Sequence, residues 1–214
     1  MSDSTIKIML VDDHAVARAG YRFMLDYVDG LSVIAEAGSG EEALRMYPAM
    51  LPDVVILDLT MPGLGGRETL IRMKSQWPEC RILICTMHET AALVDHAMKA
   101  GADGYISKNS SPEVLVTAVR RIAQGHKYID AELAQSVVTS GNRTANVGIE
   151  ALSPREFQVL CLFAEALTVD EIAAKLTLSS KTVANNLTVI KEKLQVGSTA
   201  ELIRLAISTG LASV

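Results

Sequence analysis

The chain has 214 residues, 49% of them apolar, and a formal net charge of −5. That length suits one large domain or two small ones, the apolar share excludes a disordered chain, and the acidic balance excludes a simple basic nucleic-acid binder. The three cysteines, Cys80, Cys85 and Cys161, are odd in number and lack metal-ligand spacing, so they read as reduced, apolar side chains.

Up to about Gln124 the chain alternates short Val- and Ile-rich runs (IKIMLV, LSVIAEA, DVVILD, RILICT, GYIS) with longer segments of helical spacing. That alternation predicts an α/β domain over residues 1–125, a doubly wound, five-stranded parallel sheet of flavodoxin-like size. Residues 126–149 read as a linker. A short helix is expected within YIDAELAQSVV, followed by the small, polar run TSGNRTANVG from Thr139 to Gly148. Residues 150–214 read as an all-helical domain with four helices. Its helix starts are marked by capping-box spacing at Ser153/Glu156, Thr168/Glu171 and Ser198/Glu201, with Pro154 at a first helical position. With no charged-then-apolar leader, and no apolar run near the ~18–20 residues that span a bilayer, a cytoplasmic location is expected.

The run DVVILD ends its apolar residues in a carboxylate, Asp58. Asp12 and Asp13 directly follow IKIMLV, Thr86 ends RILICT, and Lys108 follows GYIS. In a doubly wound sheet these positions lie at the carboxyl ends of strands, where ligands bind. One acid there can be a helix cap, and for Asp13 alone that reading stays open. Three acids at one sheet edge repel one another unless neutralised. Mg2+ is the usual solution, since it prefers carboxylate oxygens. The metal would also neutralise an incoming phosphoryl group, with Lys108 and the Thr86 hydroxyl on its oxygens. Asp58 then has the setting of a nucleophile that forms an acyl phosphate.

These residues resemble the receiver domain of two-component response regulators: the acid pair in LVDDH, the acceptor in ILDLTMPG, the Thr in LICT and the Lys in GYISK. The resemblance implies that Asp58 accepts phosphate from a sensor histidine kinase. It implies that Asp12, Asp13 and Asp58, with the backbone carbonyl of Thr60, bind Mg2+, and that Thr86 and Tyr105 form a switch. In that switch the Thr86 hydroxyl moves toward the phosphate and the Tyr105 ring fills the vacated space from outside. Met87 stands where the family usually has a small residue and is expected to narrow access to Asp58. His88 and Thr60 are expected to line the pocket. A haloacid-dehalogenase-like phosphatase also uses an Asp after an apolar strand, but it needs a second Asp two residues on, and Thr60 stands there.

In the second half, SSKTVANNLTVIKEKL carries Val183, Leu187, Ile190 and Leu194 on one stripe, with Lys181, Asn185, Thr188 and Glu192 opposite. With the short helix upstream this predicts a helix-turn-helix. The run from Leu152 to Leu211 resembles the LuxR-type domain of NarL/FixJ regulators through LSPREFQVL, DEIAAKLTLSSKTV and IKEKLQV with TAELIRLAI. The resemblance implies a transcription factor that binds double-stranded DNA, with a last helix that mediates homodimer formation.

The DNA-facing set is expected to be Ser180, Lys181, Thr182, Ala184, Asn185, Thr188 and Lys191, and the dimer contact Ile203 and Ile207. Asn185 can read adenine and Thr188 a thymine methyl, whereas Asn186 lies beside the apolar stripe. From Glu150 onward there are six basic and seven acidic side chains, so weak monomer binding and strong salt sensitivity are expected. The alternative is a phosphorylation-controlled regulator whose helical half binds protein. The expected activation route is that the unphosphorylated receiver covers the recognition helix, with dimerisation as the competing route.

Overall fold

The computed structural model describes residues 5–87, 91–131, 133–134, 151–208 and 211, without the side chains of residues 92, 207 and 208. His88, the Thr139–Gly148 segment and the Ile207 side chain therefore lie outside the described residues. The described residues divide into two compact units: residues 5–87, 97–131 and 133, built on the sheet, and residues 91–96, 134, 151–208 and 211, which carry the C-terminal helices.

Along the chain, strands and helices alternate as β1 (Ile6–Val11), α1 (Ala15–Asp26), β2 (Leu31–Ala37), α2 (Gly40–Met50), β3 (Val54–Leu57), α3 (Gly66–Gln76), β4 (Ile82–Thr86), α4 (Ala91–Lys99), β5 (Gly104–Ser107) and α5 (Pro112–Ala123), and all of these but residues 91–96 of α4 belong to the first unit. The sheet order is β2-β1-β3-β4-β5-β6, all parallel. The sixth strand, β6 (Tyr128–Ile129), is a difference from the five expected strands. It comes from the start of the segment read as linker, because too little apolar sequence surrounds Tyr128–Ile129 to signal a strand.

Burial explains why the strand sequences differ. Every residue of β3, β4 and β5 is buried, which suits strands covered on both faces. β2 lies at the sheet edge and alternates buried with half-buried positions. Side chains alternate across the sheet. Ile8, Leu10, Ile56, Leu83, Cys85 and Ile106 pack with Leu25 of α1 and Leu115, Val119 and Ile122 of α5. The intervening positions, Met9, Val11, Val55, Leu57, Ile82 and Ile84, are equally buried. The three cysteines are free and buried, and burial pushes the Cys85 thiol up to about 12 and the Cys80 thiol up to about 11. They act as small apolar groups, as read.

In the second unit the described residues past 150 form α6 (Pro154–Ala164), α7 (Val169–Leu176), α8 (Ser180–Lys193) and α9 (Thr199–Ser208). Full capping boxes form at Ser153/Glu156 and Thr168/Glu171. At the third expected box, Ser198 accepts from Glu201 N, but the Glu201 carboxylate reaches back to Gly197 N at 2.7 Å. α8 packs on α6 and α7, and α9 on α6. The expected stripe forms this core: Val183, Ile190 and Leu194 are buried, with Leu187 half-buried. No helix among the described residues is long and apolar enough to cross a membrane.

Candidate functional site

Sheet register builds the site. Leu10 pairs with Ile56 and Val11 with Leu57 across β1 and β3, so the next residue on each strand, Asp12 and Asp58, lies at the same level. The backbone continues the pairing: Asp58 N donates to Val11 O at 2.9 Å and Asp12 N to Ala37 O at 3.2 Å. On the far side, Thr86 pairs with Ser107, and Lys108 N donates to Thr86 O at 2.9 Å. Neighbouring strands are about 4.8 Å apart, so these side chains converge. β1 lies between β2 and β3, which makes this edge the switch point in strand order.

Lys108 Nζ lies 2.6 Å from Asp12 Oδ2 and 2.8 Å from Asp58 Oδ2. The other Asp58 oxygen accepts from Thr60 N at 3.1 Å, and Asp12 Oδ1 accepts from His14 N at 2.8 Å. Asp58 is 3% exposed and Asp12 5%. Ligand atoms of Asp12, Asp13, His14 and Asp58 all lie within 4.8 Å of one another. Asp12 and Asp58 thus share one ammonium. Burial raises the Asp58 carboxyl above its ordinary value, although Lys108 pulls the other way. Burial also disfavours the Lys108 ammonium, but Asp58 and Asp12 outweigh it and hold Lys108 above its ordinary value.

Among the described residues, the buried Asp13 Oδ1 and Thr86 Oγ1 at this edge have no hydrogen-bond partner. Asp13 Oδ1 does face His14 Nδ1 at 3.1 Å. An unpaired buried oxygen costs about 1–3 kcal/mol unless a ligand uses it. Surplus carboxylates with an orphaned oxygen are a donor set suited to a hard divalent cation.

Asp13 does not cap α1. His14 occupies the cap position, with no side-chain cap bond. Tyr105 is fully buried. Met87 stands 59% exposed. The sequence reading gave no role to His14, Arg18, Tyr21 or Cys85. Arg18, Tyr21 and Cys85 line a small cavity beneath Asp12 and Asp58, and Cys85 Sγ lies 3.6 Å from Tyr21 Oη. Only the adjacency of His14 to the acid pair was a signal in the sequence.

Gly66 fixes the loop after Asp58. A Cβ there would stand 1.9 Å from Asp58 O and 2.5 Å from Leu59 Cα. Gly66→Ala is expected to destabilise the sheet unit by about 2–4 kcal/mol. A thermal melt of the full chain checks it, with the melting of the helical unit unchanged.

On the helical unit, Ser179 caps α8 by accepting from Thr182 N. Ser180, Lys181, Thr182, Ala184, Asn185 and Thr188 are exposed and Lys191 is half-exposed. Two polar side chains turn back on their own helix: Thr188 Oγ1 donates to Ala184 O at 3.1 Å, and Asn186 Nδ2 to Thr182 O at 3.0 Å. Asn186 is therefore tied into the helix, as its place beside the stripe suggested. Ser180 Oγ donates to Asp170 Oδ1 at 2.5 Å. Lys193, a further candidate phosphate contact, is paired with Glu156 at 2.6 Å. Burial pushes the Glu156 carboxyl up, but Lys193 and Ser153 outweigh it and hold it below its ordinary value. On α9, Leu202 and Ala206 are buried and Ile203 is 41% exposed.

A sheet edge of this kind, followed by a helix-turn-helix, defines a regulator class, and comparison with known proteins agrees. Residues 8–120 match the response regulator receiver domain, and residues 150–206 match the bacterial regulatory proteins of the luxR family. The chain belongs to the two-component response regulators that join a receiver domain to a LuxR-type DNA-binding domain. It is 42% identical over 208 residues to the transcriptional activator protein ExaE of Pseudomonas putida, covering 95% of this chain and 97% of that one. It is 35% identical to the response regulator UvrY of Escherichia coli K12, covering 96% and 95%. Among solved structures it resembles RcsB of Salmonella enterica serovar Typhimurium bound to promoter P1flhDC in the presence of the phosphomimetic BeF3-. That match has a TM-score of 0.68 and 26% identity, and covers 96% of this chain and 100% of that one.

Proposed function

We propose that Asp58 accepts a phosphoryl group from a sensor histidine kinase and that this modification controls binding of the helical unit to double-stranded DNA. The observation that carries the reading is a carboxylate 3% exposed at the tip of β3, held by Lys108 at 2.8 Å beside a second buried acid. Asp58 offers an oxygen to phosphorus as the donor's bond to phosphorus breaks. Lys108 and the Thr86 hydroxyl, whose oxygen has no partner among the described residues, then hold the phosphoryl oxygens.

Asp12, Asp13 and Asp58, with the Thr60 carbonyl, would hold Mg2+, which supplies charge neutralisation for the phosphoryl group. Tyr105 joins Thr86 in the switch. Its ring is buried before phosphorylation, so the signal is a change around the ring rather than its entry from solvent.

The domain limits we assign are 1–125 for the receiver, 126–149 for the linker and 150–214 for the DNA-binding domain. Ser180, Lys181, Thr182, Ala184, Asn185, Thr188 and Lys191 form the DNA face. A homodimer would place two such faces on one site, with Ile203 and Ile207 in its contact. RcsB in its promoter-bound structures is a relative of the same architecture. The chain acts as a cytoplasmic, phosphate-gated regulator without turnover of its own. We assign activation to release of the recognition helix.

Recovery of genomic fragments with and without acetyl phosphate and Mg2+ tests the reading. Fragments enriched only with the donor, and carrying paired half-sites, are expected. Equal recovery in both conditions would remove the phosphate dependence. No recovery at low salt would favour a helical unit that binds protein, the second reading, which the poorly basic α8 motivates.

A further inference from the structure

The receiver match ends at residue 120, yet the sheet continues. After α5 the chain returns as β6, with Gly104 opposite Tyr128 and Tyr105 opposite Ile129. Tyr128 N donates to Asp103 O at 3.0 Å, and Asp130 N to Tyr105 O at 3.2 Å. Glycine weakens a strand interior unless another chain comes close. At Gly104 one does: a Cβ there would meet Tyr128 O at 2.7 Å. A two-residue strand held by so few backbone bonds needs a further anchor. Ser110 provides it, donating from Oγ to Asp130 Oδ2 at 2.7 Å.

Ser110 stands two residues after Lys108, in the same tight turn between β5 and α5. That turn is closed by Ser110 N on Ser107 O at 3.1 Å and by Asn109 N on Ser107 Oγ at 2.9 Å. One end of it therefore grips Asp58 and Asp12 through Lys108, and the other grips Asp130 through Ser110.

We infer that Asp130 is a positioning residue for phosphoryl transfer: through Ser110 it holds the turn that presents Lys108 to Asp58. The inference rests on Asp58 being the phosphate acceptor. A phosphoryl group at Asp58 draws Lys108 toward itself and alters the hold on Asp130, at the start of the segment that leads to the helical unit. Coupling of this kind is reciprocal, so loosening Asp130 changes how the pocket keeps its phosphate.

The test uses the full chain with Mg2+ and acetyl phosphate, comparing the parent with Asp130→Ala, Ser110→Ala, the double variant and Asp130→Asn. The aspartyl-phosphate half-life and the melting temperature are measured for each. Asp130→Ala and Ser110→Ala are each expected to change the half-life about fivefold. The double variant should do no more than either alone, and Asp130→Asn, which keeps an acceptor oxygen, should restore most of the parent value. Shifts confined to the melting temperature, or additive effects on the half-life, overturn the inference. A parent that takes no label at Asp58 overturns the acceptor reading and this inference with it. A labelled parent with indistinguishable variants overturns this inference alone.

Discussion

Asp58→Asn is expected to reduce labelling by acetyl phosphate to background and at the same time to make the metal-free protein more stable. The amide cannot form the acyl phosphate, and it removes a buried carboxylate that shares one ammonium with Asp12. Lys108 keeps Asp12 at 2.6 Å, so the substitution strands no cation. Relief of one uncompensated buried charge is worth on the order of 2 kcal/mol, a rise of several degrees in melting temperature.

The gain should depend on pH. Burial raises Asp58 above its ordinary value of 3.8, so the folded state holds this proton more tightly than the unfolded one. The stability from that proton is present below the ordinary value and is lost as pH rises through the raised folded value. The advantage of Asp58→Asn over the parent should therefore be small in acid and grow toward neutral pH. Added Mg2+ should raise the parent's melting temperature more than the variant's. Full labelling of Asp58→Asn, or a variant less stable than the parent at neutral pH, would be incompatible with this site.

Binding of a duplex by the phosphorylated chain should collapse with added salt. With Lys193 engaged by Glu156, the cations of α8 left for phosphate are Lys181 and Lys191. A dimer then brings four such lysines, and four neutralised phosphates give about a hundredfold loss between 50 and 200 mM salt. Lys181→Glu, which exchanges attraction for repulsion at an exposed position in the first turn of α8, should cost at least about tenfold and flatten the salt slope. Asn185→Ala should weaken only sites that present adenine to it. Salt-insensitive binding, or binding unaffected by Lys181→Glu, would locate the DNA face elsewhere.

Much of this molecule was legible in its sequence because the relevant signals are short in range. β3 declares itself by four consecutive apolar residues, since both its faces are covered. The cap serines lie three residues from the groups they bind, and α8 shows its buried stripe through the spacing of Val183, Ile190 and Leu194. Asp12, Asp58 and Lys108 could be proposed as neighbours because parallel strands ending at one edge bring their next residues together.

The amino-acid sequence alone thus determined the strand and helix types, the order of the two units and the identity of the converging acids. Tertiary structure decided which groups were already engaged: Lys193 by Glu156, and Ser110 by Asp130. It also decided that Tyr105 is buried and that Tyr128–Ile129 extends the sheet. The physical reason is separation along the chain. Periodicity and capping are written within one or two turns, whereas a pair such as Glu156 and Lys193 forms only when packing brings distant backbone together, and no local pattern records that approach.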